Sequence, residues 1–118
     1  MKKLSLKNCI PCQGGVPILS PSEVATYLPQ ISERWTVTHG DTRLICHIRT
    51  KNFANAMVLA NKIGEIAEDQ WHHPVLVVGF GELSIEVWTH KINGLVESDF
   101  IFASKVDEVL AEFSSLLE

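Results

Sequence analysis

The residues best suited to chemistry lie around two adjacent histidines, His72 and His73. A carboxylate, Glu68, stands four residues before His72, and this spacing puts both side chains on one face if a helix extends that far. Pro74 disfavours helical backbone at His73, so the two imidazoles are expected to project in different directions. Because imidazole exchanges protons near neutral pH and a carboxylate can orient it, this segment predicts an acid–base site.

A third histidine, His90, follows a predicted strand in which polar and apolar residues alternate. By that alternation it shares a face with Trp88, on the side away from the apolar residues of the strand. If the end of the helix and the end of this strand meet, the three histidines form one cleft. The remaining histidines, His39 and His47, are interpreted as structural, since one lies in a turn and the other within a strand.

A metal site is the main alternative interpretation of three histidines. Adjacent histidines on extended backbone point to opposite faces, and the sequence lacks the His-x-His and His-x-x-x-His spacings typical of metal ligands. Cys9 and Cys12 form a Cys-x-x-Cys pair. Because no second pair accompanies it and no predicted strand precedes it, a structural or incidental role is favoured over a redox or zinc site. We predict neither a metal nor a cofactor.

The composition excludes several classes of function. The chain has 118 residues, enough for one domain, and 14 acidic against 10 basic side chains, a formal net charge of -4. This balance argues against a nucleic-acid-binding surface, which requires clustered positive charge. Lys2 and Lys3 are not followed by an apolar run, which argues against a secretory signal, and no segment is apolar for long enough to span a bilayer. A cytoplasmic location is expected.

Local signals predict the elements that must position the histidines. Ser20-Pro21-Ser22-Glu23 is typical of a helix start, and Pro29 ends that helix near Leu28. Two hairpins and two further helices follow. Their predicted bounds are Trp35–Thr38 and Arg43–Arg49 around the turn His39-Gly40-Asp41, a helix from Asn52 to about Asp69, Val75–Phe80 and Leu83–Thr89 around Gly81-Glu82, and a final helix capped by Ser98.

The order α-β-β-α-β-β-α predicts an α+β domain, in which an antiparallel four-stranded sheet has helices packed on one face. Residues 1–19 are expected to form an irregular N-terminal segment, and residues 20–118 the domain itself. Along the long helix, Phe53 and Met57 are predicted to lie in the core. An open hairpin edge offers a surface on which a second copy of the chain can pair.

Beyond these local patterns, the sequence resembles the pterin-4a-carbinolamine dehydratases. Their signature is an acidic residue, His-His-Pro, an aromatic residue, a histidine and an aspartate at fixed spacings. It is matched here, gap for gap, by Glu68, His72-His73-Pro74, Phe80, His90 and Asp99. The resemblance runs roughly from Ser20 to the C-terminus, and bacterial members often carry a segment like Cys9 to Gly15. The chain departs from many relatives at Trp71, where they are acidic, and from some at Ile92, where they have cysteine.

The resemblance implies a metal-free hydro-lyase that converts a 4a-hydroxytetrahydropterin into a quinonoid dihydropterin, the step that recycles the pterin of an aromatic amino acid hydroxylase. It implies that His72 and His90 act as the principal acid–base pair. His73 would bind and polarise the pterin, and Glu68 would tune the histidines. Members form homodimers by joining their sheets, and some form tetramers. The residues implied to line the ring pocket are Trp71, Pro74, Trp88, Thr89, Lys91 and Asp99.

Two alternative functions stay open at this point. Some proteins that resemble the dehydratases belong to molybdenum-cofactor metabolism, and the signature does not separate them from the recycling enzymes. Animal relatives also bind a homeodomain transcription factor through a helical face, so the chain is alternatively a non-catalytic dimerisation or co-regulatory module. The complete histidine set and the acidic charge favour catalysis on a small pterin substrate.

Overall fold

The predicted α+β architecture is confirmed. A computed structural model describes residues 3–10 and 16–118, so Cys12 and the predictions made for residues 11–15 lie outside the described residues. Three helices and four strands follow one another in the predicted order. They are α1 (Pro21–Tyr27), β1 (Trp35–Thr38), β2 (Arg43–Arg49), α2 (Phe53–Gln70), β3 (Val75–Gly79), β4 (Glu82–Val87) and α3 (Glu97–Glu112).

The four strands form one antiparallel sheet in the order β1-β2-β4-β3, so β1 and β3 are its edges. One face of the sheet, the inner face, carries apolar residues that are almost completely buried beneath α2 and α3. The opposite or outer face keeps residues such as His47 and Ser84 accessible, and their side chains hydrogen-bond each other at 2.8 Å. The buried inner-face residues of the central strands are Leu44, Cys46, Ile48, Leu83, Ile85 and Val87.

Helix α1 begins where the sequence predicts. The Ser20 hydroxyl accepts a hydrogen bond from the backbone N–H of Glu23 at 3.2 Å, and the Glu23 carboxylate accepts one from the backbone N–H of Ser20 at 2.9 Å. These two reciprocal bonds satisfy backbone donors that a helix start otherwise leaves open. They also lower the pKa of Glu23, first through the backbone N–H of Ser20 and then through its side chain.

The prediction that Phe53 and Met57 belong to the core is wrong. Their exposed fractions are 47% and 39%, and the neighbouring Val58 is 42% exposed. Ala60, Ile63 and Ala67, which recur with Phe53 and Met57 at three- and four-residue steps, are buried, and this part of the predicted stripe is confirmed. Ala56 and Leu59 are buried beside them, so Phe53 and Met57 lie at the exposed margin of the buried face.

The start of α3 also differs from the prediction that Ser98 caps it. The helix begins at Glu97, and the carboxylate of Asp99 accepts the backbone N–H of Val96 at 2.9 Å. Ser98 lies one residue inside the helix, where its hydroxyl instead accepts the backbone N–H of Ile10 at 2.9 Å. Residues 3–10 thus lie against α3.

Candidate acid–base site

The end of helix α2 sets the directions of the two adjacent histidines. The helix stops at Gln70, and Trp71 adopts a left-handed backbone conformation with φ of 51°. Such a conformation is uncommon for a residue other than glycine, and it reverses the chain abruptly. The helix ends within one residue of the predicted Asp69, so the condition under which Glu68 and His72 would share a helix face is not met. The turn sends His72 inward and leaves His73 exposed.

The His72 ring is buried against the N-terminal part of α3. Its Nε2 lies 2.6 Å from Oδ1 of Asp99, and its ring centroid is 5.9 Å from that of Phe102. Only 8% of the residue is exposed. Since an ionised carboxylate can only accept hydrogen bonds, Nε2 of His72 donates, and Nδ1 is left to accept a proton.

Asp99 joins the three chain segments that meet at this point. It is completely buried, and its second oxygen accepts the Thr89 hydroxyl at 2.9 Å and the backbone N–H of Val96 at 2.9 Å. Full burial of a carboxylate is tolerable when hydrogen bonds replace its hydration. One carboxylate therefore ties the segment after α2 to the segment after β4, directly beside His90.

His73 forms a second imidazole–carboxylate pair, on the surface. Its Nε2 lies 2.6 Å from Oε2 of Glu68, with exposed side-chain fractions of 46% and 71% respectively. The Trp71 ring meets the His73 ring edge-on at a centroid distance of 4.9 Å. Glu68 thus contacts the second histidine of the pair, not the first.

His90 lies in a single turn of 3-10 helix, His90–Ile92, which follows β4. Its ring is exposed and stacks on Trp88 with a centroid distance of 4.2 Å and an interplanar angle of 24°. Among residues 3–10 and 16–118, no group hydrogen-bonds the His90 ring, so both nitrogens are available to a ligand. The strand ends at Val87, two residues earlier than predicted, because Thr89 turns to pair with Gly94.

The register of the sheet relates His73 to His90. Strand β3 pairs Val75 with Glu86, so continuing that register by two residues sets His73 across from Trp88 on the outer face. The guanidinium of Arg43, on β2, lies 4.1 Å from the centroid of the same Trp88 ring. Two exposed imidazoles and two indole rings are thus gathered at one end of the sheet.

The other predicted site residues differ in burial. Pro74 and Trp88 are half-buried, Thr89 is buried, and Lys91 is exposed beside His90. Phe80, which belongs to the signature, is 81% exposed in the β3–β4 turn, at the opposite end of β3 from His73. The structure does not bring Phe80 to the histidines.

Two features of the site escaped the sequence analysis. The Arg43 guanidinium packs on the Trp88 ring, and it donates a hydrogen bond of 2.8 Å to the side-chain oxygen of Asn93. Phe102 packs on the His72 ring. The alternation in β2 indicates that Arg43 lies on the outer face, but its contact with Trp88 depends on the pairing of β2 with β4, which no local signal in the sequence predicts. Phe102 had no signal beyond its place in the apolar stripe of α3.

Cys9 and Cys46 have unreactive thiols. The Cys9 thiol donates to the backbone oxygen of Ser98 at 3.3 Å, and burial raises its pKa to about 11. Burial likewise raises the pKa of Cys46 to about 12. A protonated thiol is a poor nucleophile.

In the described part of the chain, no three His, Cys, Asp or Glu side chains converge as metal ligands. None of the helices described there is long and apolar enough to cross a membrane.

Comparison with known proteins points to one family. A family model described as pterin 4 alpha carbinolamine dehydratase matches residues 17–109. A protein of Alkaliphilus metalliredigens named "Putative pterin-4-alpha-carbinolamine dehydratase" is 44% identical over 112 residues, which are 95% of this chain and 100% of that protein. A protein of the same name from Methylococcus capsulatus is 45% identical over 109 residues, covering 92% of this chain and 95% of its own length.

Two solved structures share the fold. The transcriptional coactivator/pterin dehydratase from Brucella melitensis superposes with a TM-score of 0.73 at 24% identity, over 79% of this chain and 98% of that one. A pterin dehydratase-like protein described as a RuBisCO assembly factor in the alpha-carboxysome gives a TM-score of 0.56 at 17% identity, over 65% of this chain and 89% of that one. At these identities the likeness concerns the fold alone.

Proposed function

Because the chain belongs to the pterin-4-alpha-carbinolamine dehydratase family, we propose that it removes water from a 4a-hydroxytetrahydropterin to give the quinonoid dihydropterin. The observation that carries the proposal is the buried carboxylate of Asp99. One of its oxygens accepts a hydrogen bond from His72, and the other accepts one from Thr89, the residue before His90. Imidazoles from distant parts of the chain are in this way brought to one end of the sheet.

The reaction asks for two proton transfers. The bond between C4a and its hydroxyl oxygen breaks, the N5 proton leaves, and a double bond forms between C4a and N5, with water as the second product. Hydroxide is a poor leaving group, so one imidazole must protonate it while another takes the proton from N5. His72 and His90 take these two roles in our proposal. Asp99 keeps Nε2 of His72 protonated and so leaves Nδ1 for proton exchange.

Substrate binding is assigned to the exposed groups around these two histidines. Trp71, which is 67% exposed, offers a flat apolar face to a pterin ring, and His73, oriented by Glu68, offers a hydrogen bond to it. Trp88, whose ring is covered by His90 and by Arg43, borders the pocket and supports the His90 ring. Pro74, Thr89 and Lys91 complete the lining in this proposal. The match covers 100% of the Alkaliphilus metalliredigens protein and 95% of the Methylococcus capsulatus protein, and the residues that would contact the pterin all lie within residues 17–109.

The proposal is tested by measuring dehydration of a 4a-hydroxytetrahydropterin, generated by an aromatic amino acid hydroxylase, against the spontaneous rate. His90→Ala should lower kcat about 10²–10⁴-fold, the usual weight of one general acid or base. His39→Asn is the matched control, because His39 lies exposed in the β1–β2 turn and asparagine tolerates its positive φ of 55°. Equal rates for wild type and His90→Ala would contradict the assignment.

Substrates derived from tetrahydrobiopterin and tetrahydromonapterin should be compared in the same assay, because the identity of the pterin side chain is open. Turnover of either one favours recycling of a hydroxylase cofactor. A pterin of molybdenum-cofactor metabolism would use the same imidazoles, and its preferential turnover would favour the alternative pathway.

We also propose that the chain forms a homodimer or homotetramer through the open edge at β3. Strand β3 pairs with β4 on one side only, and its outer-face residues Val75 and Val77 are 42% and 57% exposed. Unpaired edges with apolar side chains favour strand pairing with another copy. Sedimentation analysis should therefore show an oligomer, and Val77→Lys should shift it towards monomer. A wild-type chain that is monomeric at high concentration would refute this.

A second candidate function rests on helix α2. Phe53 and Met57 are exposed there and lie one helical turn apart, so they form a small apolar patch of the kind that can bind another protein, and Val58 beside them is exposed as well. In a co-regulatory module, this patch would hold a stoichiometric partner without pterin turnover. Met57→Lys separates the two functions. It should leave dehydration unchanged if the chain is an enzyme, and it should abolish complex formation if the chain is a module.

A further inference from the structure

Arg43 contacts both ends of the loop that carries His90. Its guanidinium carbon lies 4.1 Å from the ring centroid of Trp88, which precedes the loop. One terminal nitrogen donates to the side-chain oxygen of Asn93, which ends the loop, at 2.8 Å. The other donates to the backbone oxygen of Thr42 at 3.0 Å, which fixes the guanidinium to the turn that precedes β2.

The loop itself is short and closed at its base. Thr89 and Gly94 exchange backbone hydrogen bonds of 2.9 and 3.4 Å, and Asn93 takes the left-handed conformation with φ of 51°. His90 thus lies at the start of a single tight turn. The position of its backbone is fixed by the pairing of Thr89 with Gly94 and by the hydrogen bond from Arg43 to Asn93.

The orientation of the His90 ring depends on Trp88. Stacking at a centroid distance of 4.2 Å is the ring's defined contact, and no hydrogen bond within the described segments restrains it. Trp88 is itself half-buried on the open face of the sheet, where the Arg43 guanidinium packs on it. A change at Arg43 is therefore transmitted to His90 through the indole ring and through Asn93.

We propose that Arg43 is a positioning residue for His90. It does not touch the reacting atoms, and only its consequence for turnover rests on the proposed dehydratase function. Arginine suits the task because its planar guanidinium can stack on an aromatic ring while its N–H groups donate in the ring plane. Lysine carries the same charge but cannot make both contacts at once. The lysine variant therefore separates geometry from charge.

The chain provides a matched control in Arg49. It lies on the same strand and the same outer face, six residues away, and its side chain is 73% exposed with a loose 3.8 Å ion pair to Glu118. Replacing Arg49 removes the same charge from the same strand without disturbing the loop at His90.

The first experiment follows the imidazole resonances by NMR in the full-length protein. Stacking on an indole displaces the ring protons of His90 from the position of a free histidine. Arg43→Met and Arg43→Lys should both move the His90 signals towards the free position, while Arg49→Met should leave them in place. Unchanged His90 signals in both Arg43 variants would overturn the proposal. This measurement needs no turnover, so it decides the question even if the dehydratase proposal fails.

The second experiment measures turnover of the 4a-hydroxytetrahydropterin. Because a small misplacement of a catalytic group costs up to about 10²-fold, Arg43→Met and Arg43→Lys should lower kcat about tenfold or more with little change in KM. Asn93→Gly keeps the left-handed backbone but removes the acceptor, so it should cost less. The double variant Arg43→Met/Asn93→Gly should be no worse than Arg43→Met alone. Wild-type kcat in the Arg43 variants, or an equal loss in Arg49→Met, would overturn the proposal.

Discussion

His72 and His73 are neighbours in the sequence, and each has a carboxylate oxygen 2.6 Å from its Nε2, yet they lie in opposite environments. The His72–Asp99 side chains are 9% and 0% exposed, whereas those of His73–Glu68 are 46% and 71% exposed. Removing one member of a buried pair leaves the other without a hydrogen-bond partner, whereas in an exposed pair water takes the place of the lost partner. Equal distances therefore conceal unequal energies, and the two pairs should have different functions.

The largest difference is expected between the two carboxylates in stability. Asp99→Ala removes the acceptor of His72, of the Thr89 hydroxyl and of the Val96 N–H at once, so it should lower the free energy of unfolding by about 3–5 kcal/mol. Glu68→Ala should cost less than about 1 kcal/mol. Urea denaturation of both variants compares them directly. Similar losses for the two would remove the distinction between the pairs.

The two histidines should differ in which kinetic parameter they control. His72→Gln removes a proposed proton-transfer group and should lower kcat by about 10²–10⁴-fold. His73→Gln removes a proposed binding contact, so it should chiefly raise KM. Steady-state kinetics on one 4a-hydroxytetrahydropterin distinguishes these patterns. If His73→Gln lowers kcat more than His72→Gln, the exposed histidine is the one that transfers protons.

Glu97 offers a carboxylate of intermediate exposure, with 36% of its side chain accessible. Burial alone would raise its pKa, but hydrogen bonds from the Tyr27 hydroxyl and the Lys7 ammonium outweigh burial and lower it. A carboxylate with a lowered folded-state pKa stabilises the protein above its unfolded pKa, and this stabilisation is lost as pH falls through the folded value.

The stability difference between wild type and Glu97→Gln should therefore be constant near neutral pH and shrink on acidification below about 4.5, the ordinary pKa of a glutamate. Thermal unfolding from pH 7 downwards measures it. Glu68→Gln, measured alongside, tests whether exposure sets the size of the effect. A difference that grows as pH falls would show that the hydrogen bonds to Glu97 do not favour its ionised form.

The smallest effect on turnover is expected for the exposed His73–Glu68 pair. Glu68→Gln keeps a hydrogen-bond acceptor opposite His73 and loses only a screened charge, so kcat/KM should fall less than tenfold, and by less at high salt. Kinetics at two ionic strengths provide the check. A loss comparable with that of Asp99→Asn would mean that Glu68 acts directly on the substrate.

The sequence predicts the parts of this molecule that depend on local signals. The Ser20–Glu23 capping box and the alternation in β2 act within a few residues, and α1 and β2 lie where those signals indicate. Periodicity also predicts the burial of Ala60, Ile63 and Ala67 on α2. It fails for Phe53 and Met57, because it identifies an apolar face but not how much of that face its neighbours cover.

The sequence predicts most residues of the site but not the hydrogen bonds and contacts between them. The pairing of Glu68 depends on the left-handed turn at Trp71, which no glycine or asparagine marks in the sequence. The bond between Asp99 and His72 joins residues 27 positions apart, and the spacing pattern names both residues without indicating that they pair. The contact of Arg43 with Trp88 likewise arises from strand pairing.

If His72, His73 and His90 face one flat ligand, all three imidazoles should respond when that ligand binds. The measurement is an NMR titration of the imidazole resonances with 7,8-dihydrobiopterin, a pterin that carries no 4a-hydroxyl to lose. His72, His73 and His90 should respond together with one dissociation constant, while His39 and His47 should not respond. If the ligand leaves the His72 and His90 signals unmoved, or moves them with different dissociation constants, the histidines do not form one site.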